Sequence, residues 1–463
     1  MVLLGLGTVW ILDGLEVTIV GSLGSRLTEP DSGLHLSDTG VGFAATCYVV
    51  GAVLGSLFFG YLTDRMGRRK LFLVTLGVYL VATVATAFAP SPLLFFACRF
   101  FTGAGIGGEY AAINSAIDEL VPARLRGRIN LMINGSYWLG AAFGAALTVV
   151  LLDKDLFAPD LGWRLAFGLG AVLGLGILLV RRNVPESPRW LFIHGRADEA
   201  DRLVADIERT VAEQTGQRLD EPAEYLTIRT RAAIGFGTIV RAIVRQYPKR
   251  SFLGLALFVG QAFLYNAVFF TQALVLTTFF DVAAGTVGWY ILPLAVGNLL
   301  GPVLLGPFFD TVGRRVMITF TYVGSGALLI ATGLLFQQGV LGPVSLTACW
   351  SAVFFFASAG ASAAYLTVSE IFPMETRALA IAFFYSVGTG LGGAIGPLLF
   401  GGLVDTGRVG AVAVGYYLGA ALMILAGLVE VGFGVEAAGR SLEDIARPLT
   451  AEDPASSSAA AQA

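Results

Sequence analysis

One ten-residue pattern occurs twice in this 463-residue chain. It reads G-Y-L-T-D-R-M-G-R-R at Gly60–Arg69 and G-P-F-F-D-T-V-G-R-R at Gly306–Arg315, 246 residues apart, and each copy ends a long apolar stretch. A Gly-x-x-x-Asp-x-x-Gly-Arg-Arg turn in duplicate, within so apolar a chain, implies a polytopic membrane protein assembled from two similar halves.

Composition agrees. Hydrophobic residues make up 56% of the chain and charged residues 14%, whereas soluble domains carry about a quarter charged residues. The 59 glycines fall inside the apolar runs, where small residues let membrane helices approach closely. The net charge of −3 says little, because distribution matters more than the sum. No basic helix offers itself to nucleic acid. Cys47, Cys98 and Cys349 are scattered through apolar runs, and His35 and His194 through polar connections, so neither a metal nor another cofactor is expected. A nucleotide-driven pump would need a Gly-x4-Gly-Lys-Ser/Thr loop and a membrane enzyme a nucleophile or metal-ligand cluster; the sequence has neither.

Apolar runs bounded by charge or turn residues predict twelve spans, at 3–25, 39–63, 71–90, 93–117, 129–152 and 161–180, then 251–275, 284–308, 316–336, 342–369, 379–402 and 411–435. Asp13 and Glu16 interrupt the first run where a cleaved leader would be purely apolar, so it is read as a span. Basic clusters at Arg65–Lys70, Arg124–Arg128, Arg181–Arg182, Arg314–Arg315 and Arg377 all fall on one side of a twelve-span chain. The positive-inside rule makes that side cytoplasmic, with both termini there and the chain in the plasma membrane. The expected division is a six-helix bundle at 1–182, a cytoplasmic loop at 183–250, a second bundle at 251–436 and a tail at 437–463 whose end is disordered. Within the loop, Arg196–Gln214 has the spacing of an amphipathic helix.

The duplication extends further. E-L-V-P-A-R-L-R at Glu119–Arg126 matches E-I-F-P-M-E-T-R at Glu370–Arg377, and Glu186 in P-E-S-P-R-W matches Glu436 in V-E-A-A-G-R. In the repeated turn, Gly60 permits close packing and Gly67, like Gly313, a tight reversal. Asp64 is placed to accept bonds from a neighbouring helix's free N–H groups or from an arginine, and Arg68, Arg69, Arg314 and Arg315 stay with the anionic inner surface. The set reads as a gate latch, against the alternative of a plain topogenic loop.

These residues resemble the major facilitator superfamily over roughly 1–445. The resemblance is carried by G-Y-L-T-D-R-M-G-R-R-K and its second copy, R-F-F-T-G-A-G-I-G-G-E-Y at 99–110, P-E-S-P-R-W and E-I-F-P-M-E-T-R. P-E-S-P-R-W together with G-R-S-L-E-D-I at Gly439–Ile445 is similar to the sugar-porter, organic-ion and metabolite–proton symporter branch. The resemblance implies an all-α fold of two pseudo-symmetric six-helix bundles moving as a rocker switch. Asp64 and Asp310 would then sit in the cytoplasmic gates, beside Glu119, Arg126, Glu370 and Arg377. The seventh span departs from the sugar porters, offering only Gln261, Tyr265 and Asn266.

Charges inside the spans point to coupling. A carboxylate at mid-bilayer costs about 2.5–3.5 kcal/mol on insertion scales and persists where it faces a cavity, is paired or is protonated. Asp13 and Glu16 share one face of the first span and are read as proton-coupling residues, Asp13 first; substrate binding or a structural salt bridge are the alternatives. Arg99 and Glu109, ten residues and about 15 Å apart along the fourth span, join them as a proton relay or a helix–helix ion pair. The substrate wall is expected from Asn134, Tyr137, Trp138, Gln261, Tyr265, Asn266, Trp289 and Tyr365. The sequence thus reads as a monomeric secondary transporter in membrane lipid, coupling protons to the symport of a small polar organic solute. Its rivals are a sugar carrier, a drug–proton exporter and a non-transporting receptor or scaffold.

Overall fold

The computed structural model describes residues 2–153, 155–181, 186–216, 236–269, 271–282 and 286–451. The first half crosses with α1 (Val2–Leu27), α2 (Asp38–Met66), α3 (Arg68–Ala87), α4 (Pro92–Leu120), a split fifth crossing of α5 (Arg126–Gly135) and α6 (Tyr137–Leu151), and α7 (Pro159–Arg181). Between the halves lie α8 (Pro188–Ile193), α9 (Ala197–Thr215), α10 (Phe236–Arg241) and a π-helical turn at Ala242–Gln246. The second half crosses with the split pair α11 (Pro248–Val268) and α12 (Gln272–Phe280), then α13 (Val287–Thr311), α14 (Arg314–Gln337), α15 (Pro343–Ile371), α16 (Arg377–Asp405) and α17 (Val409–Phe433), before the short α18 (Leu442–Ile445).

Twelve crossings result, six to a half. Two expected spans are not continuous helices. The fifth breaks at Ser136, whose hydroxyl bonds the carbonyls of Ile133 at 2.6 Å and Gly7 at 3.2 Å. The seventh breaks before Thr271, whose hydroxyl turns back to the Ala267 carbonyl at 2.7 Å. In contrast α13 continues through Pro293, Pro302 and Pro307, as membrane helices can where neighbours satisfy the freed carbonyls.

Small residues set the packing. Gly51 and Gly55 of α2 face Gly103 and Gly107 of α4 so closely that a Cβ on any of them would fall 2.0–2.3 Å from a backbone carbonyl oxygen of the facing helix. The exterior is apolar, with Phe58, Val81 and Leu93 among many exposed side chains, whereas Asp13, Glu16, Arg99 and Glu109 are buried. This inside-out polarity is what a bilayer selects. Outside the spans, α9 covers the expected amphipathic stretch and ends on Gly216 in the left-handed region. Its Ala200 packs on Trp190 and Leu191 of α8.

Candidate functional site

At the end of the molecule that carries the basic clusters, the repeated motifs build two matching sets of contacts. Gly67 and Gly313 turn the chain at φ of +94° and +115°. Glu186 then accepts the backbone N–H groups of Arg68 (2.9 Å) and Arg69 (3.2 Å) at the start of α3, and Glu436 those of Arg314 (2.9 Å) and Arg315 (3.4 Å) at the start of α14. Carboxylates at helix N-termini satisfy free donors and oppose the positive end of the dipole. Arg68 pairs with Glu119 at 2.6 Å, and Arg314 with Glu370 at 3.0 Å.

The same acids reach across the halves. Glu119 meets Arg377 at 3.2 Å, and Glu370 meets Arg126 at 3.3 Å, with all four side chains buried. Asp64 accepts the Leu379 N–H of α16 at 3.2 Å. Asp310 accepts the N–H groups of Gly127 (2.9 Å) and Arg128 (2.8 Å) in α5, and Arg314 at 2.9 Å. Farther out, Arg189 of α8 pairs with Glu443 of α18 at 2.6 Å. Burial pushes the Glu443 carboxyl up, but the hydrogen bond and charge of Arg189 outweigh it and hold the group below its ordinary value. Gly60 lets α2 approach α16, since a Cβ there would lie 2.7 Å from that of Ala382. This end of the molecule is thus closed by contacts between the halves.

Mid-membrane, Arg99 donates to Glu16 at 2.9 Å and to the Thr102 hydroxyl at 3.0 Å, and its guanidinium lies 4.7 Å from the Phe167 ring centroid. Asp13, one turn earlier, takes another course. It accepts the hydroxyls of Tyr110 and, at 3.3 Å, Tyr48. With Glu109 it also lines a small cavity among Val9, Leu12, Leu76, Tyr79 and Ile106.

Around Asp13 the rings of both halves meet. Trp10 stacks on Tyr110 at 4.6 Å and meets Tyr365 edge-on at 5.9 Å; Tyr385 meets Tyr110 at 5.0 Å and Tyr365 at 6.3 Å. A second group joins α6 to α11. Trp138 stacks on Tyr265 at 6.1 Å and touches Tyr137 and Phe269 edge-on, while the Tyr265 hydroxyl donates to Asn298 at 2.8 Å. Gln261, one turn before Tyr265, is half-buried and makes no hydrogen bond among the described residues.

A family model for sugar (and other) transporters matches residues 20–449. The chain belongs to that family. It is 26% identical to the niacin transporter NiaP of Acinetobacter baylyi, with 85% of this chain and 84% of that one covered. It is 26% identical to the D-xylose transporter of Levilactobacillus brevis (94% and 96% covered) and 28% identical to the major myo-inositol transporter IolT of Bacillus subtilis (80% and 78%). The structure of the major facilitator superfamily proton:xylose symporter XylE bound to 6-bromo-6-deoxy-D-glucose superposes with a TM-score of 0.79 at 21% identity, covering 96% of this chain and 97% of that one. The chain therefore has the twelve-helix superfamily fold and is an integral membrane transporter of a small molecule, not an enzyme.

Within this sugar-transporter fold the expected substrate wall is only partly assembled. Tyr137, Trp138, Gln261, Tyr265 and Tyr365 lie in or beside the inter-half ring groups. Asn134 instead joins a knot with Asn130 and Asn114, donating to their side-chain oxygens at 2.8 and 3.1 Å. Two expected wall residues stand elsewhere in this arrangement. Asn266 bonds its own helix at the Ala262 carbonyl and packs on Gly392 and Gly396 of α16. Trp289 is 74% exposed near the start of α13 and joins neither ring group. The sequence reading passed over Trp10, Tyr48 and Tyr385, and in the second half Glu430, a buried acid of α17 whose two carboxylate oxygens have no hydrogen-bond partner. Tyr385 had a signal, because the 251-residue offset that carries Glu119 to Glu370 also carries Asn134 to Tyr385.

Proposed function

We propose that this chain is a proton-coupled symporter, moving a small polar organic solute across the plasma membrane by alternating closure of its two halves, with both termini cytoplasmic and one chain as the working unit. The observation that carries the reading is the Glu16–Arg99 pair, whose side chains are 3% and 0% exposed. A buried ion pair is weak evidence for stability, because desolvation offsets its Coulomb attraction. It serves well as a switch, since protonating the acid removes the attraction that ties α1 to α4 and leaves Arg99 to find another partner. The sequence reading ranks Asp13 first as proton carrier. The geometry favours Glu16 for the proton, with Glu109 as relay toward the cavity it shares with Asp13, and leaves Asp13 among the rings.

The gate reading of Asp64, Asp310 and their arginines is part of the same proposal. Their contacts hold only one of the two arrangements that alternating access requires. The names of the xylose and inositol transporters among its relatives favour a second reading, a sugar carrier. Proteoliposome uptake separates these. With the coupled solute, an inward proton gradient should drive accumulation, a protonophore should collapse it, and Glu16→Gln should abolish accumulation while keeping counterflow. Accumulation by Glu16→Gln with an intact proton dependence would overturn the assignment.

A further inference from the structure

We propose that Asp13 and the rings of Trp10, Tyr48, Tyr110, Tyr365 and Tyr385 form a site for a cationic headgroup, so that the solute is an organic cation or a zwitterion bearing an ammonium group. The inference rests on the reading of the inter-half region as the solute path and names the class of molecule that takes it. Asp13 is 2% exposed, and its hydrogen-bond partners are phenols. Its charged neighbours are the acids Glu16 and Glu109, and Arg99 is bound to Glu16. Such a carboxylate calls for positive charge, and its walls supply π faces, the surroundings in which quaternary ammonium groups are bound.

The rival classes fit less well. An organic anion would meet the Asp13 carboxylate and would have to draw on the Nε and Nη1 donors of Arg99, buried without a hydrogen-bond partner while Glu16 holds the guanidinium. A sugar needs a fan of amide donors and acceptors; Asn114, Asn130 and Asn134 bond one another and Asn298 bonds Tyr265, which leaves Gln261 and the Oδ1 atoms of Asn134 and Asn266 to receive one. By contrast, the Trp10 Nε1–H is buried without a partner, a donor to which the carboxylate of a zwitterion could bind. The rings also tie binding to movement. Trp10 and Tyr110 belong to the first half, Tyr365 and Tyr385 to the second, and across the halves their ring centroids lie 5.0–6.4 Å apart. A headgroup entering between them parts the two halves locally, so that the solute itself acts on the conformational equilibrium.

The test is equilibrium binding to the purified full chain in nanodiscs, read by thermal shift and tryptophan fluorescence with no proton gradient. The probes are tetramethylammonium and choline against xylose and nicotinate. The two ammonium compounds should bind saturably and the other two should not. Asp13→Asn should weaken choline about tenfold or more, Tyr365→Leu several-fold, and Tyr365→Phe little, because it keeps the π face. Should Asp13→Asn fail to fold, the Leu and Phe variants at 365 still decide. Xylose or nicotinate binding where the ammonium probes do not, no binding by any probe, equal choline affinity in Asp13→Asn, or equal effects of Leu and Phe at 365 would each overturn the site. Choline binding without proton-driven uptake would instead overturn the coupling reading and leave this one standing.

Discussion

Glu16 and Arg99 hold opposite charges in a space that hydrocarbon side chains would otherwise fill. Removing one partner leaves the other buried and uncompensated, a loss of about 3–5 kcal/mol in comparable sites. Arg99→Met and Glu16→Leu should each lower the melting temperature in one detergent. The double variant should recover most of the loss, because no charge is then stranded. Gradient-driven accumulation should stay absent in the double variant even though the fold is restored. A double variant that melts below both singles would show that the pair mainly supports the fold. Glu430 is the counter-case in the second half, a buried acid whose oxygens find no hydrogen-bond partner, and no role in the proposed cycle accounts for it.

Between residue and fold, the gate turns join one helix's end to another's beginning. Asp310 accepts two backbone N–H groups of α5 and a guanidinium, whereas Asp64 accepts one N–H of α16 and keeps its Oδ1 buried without a partner. The fuller D-R-M-G-R-R-K sequence of the first copy favours Asp64 as the more sensitive of the two; the contacts favour Asp310. Asp310→Asn should therefore speed amide hydrogen exchange at 127–128 more than Asp64→Asn does at 379, with solute binding retained in both. The reverse order would return the weight to the sequence reading. The Arg189–Glu443 pair has its own signature. With the Glu443 pKa held below its ordinary 4.5, its contribution is full above that value and is lost as pH falls through the lowered one. Cross-linking between cysteines flanking α8 and α18 should thus be constant near neutrality and fall only in acid, and a change near pH 7 would assign the closure to other groups. The paired contacts of the two turns were legible because each part is a short contiguous motif present twice. The ring group around Asp13 was not, because it draws on five helices distant in sequence and each aromatic alone reads as packing. The break at Ser136 escaped notice for a similar reason: the apolar run passes through it unchanged, and the hydroxyl that bonds Ile133 is a single atom.

The whole molecule closes the side proposed as cytoplasmic through two buried arms related by the duplication, Arg377–Glu119 and Arg126–Glu370. Membrane sidedness is checked first: cysteines in the 2–3, 6–7 and 10–11 connections should react only from the cytoplasm, and those at 31 or 405 only from outside. The arms then carry a sharper expectation. Each acid keeps an arginine from its own half, Arg68 for Glu119 and Arg314 for Glu370, so cutting an arm leaves neither glutamate unpaired. What is lost is one charged hydrogen bond, about 1.5–3 kcal/mol, against about 1.4 kcal/mol for each tenfold change in an equilibrium. Arg126→Ala and Arg377→Ala should each favour the cytoplasm-open state by roughly tenfold or more. Because the arms share no ion-pair partner, the double variant should show nearly the product of the two effects, short of the coupling through Asp118, whose charge both Arg126 and Arg377 offset. Spin labels at Lys70 and Val312, both exposed and beside the repeated turns of opposite halves, would report the populations as a long and a short distance. A double variant no more open than either single would show that the arms act as one unit. If neither single variant shifts the distances, closure rests on the Asp64 and Asp310 contacts with backbone N–H groups, and the ion pairs only set the register in which the halves meet.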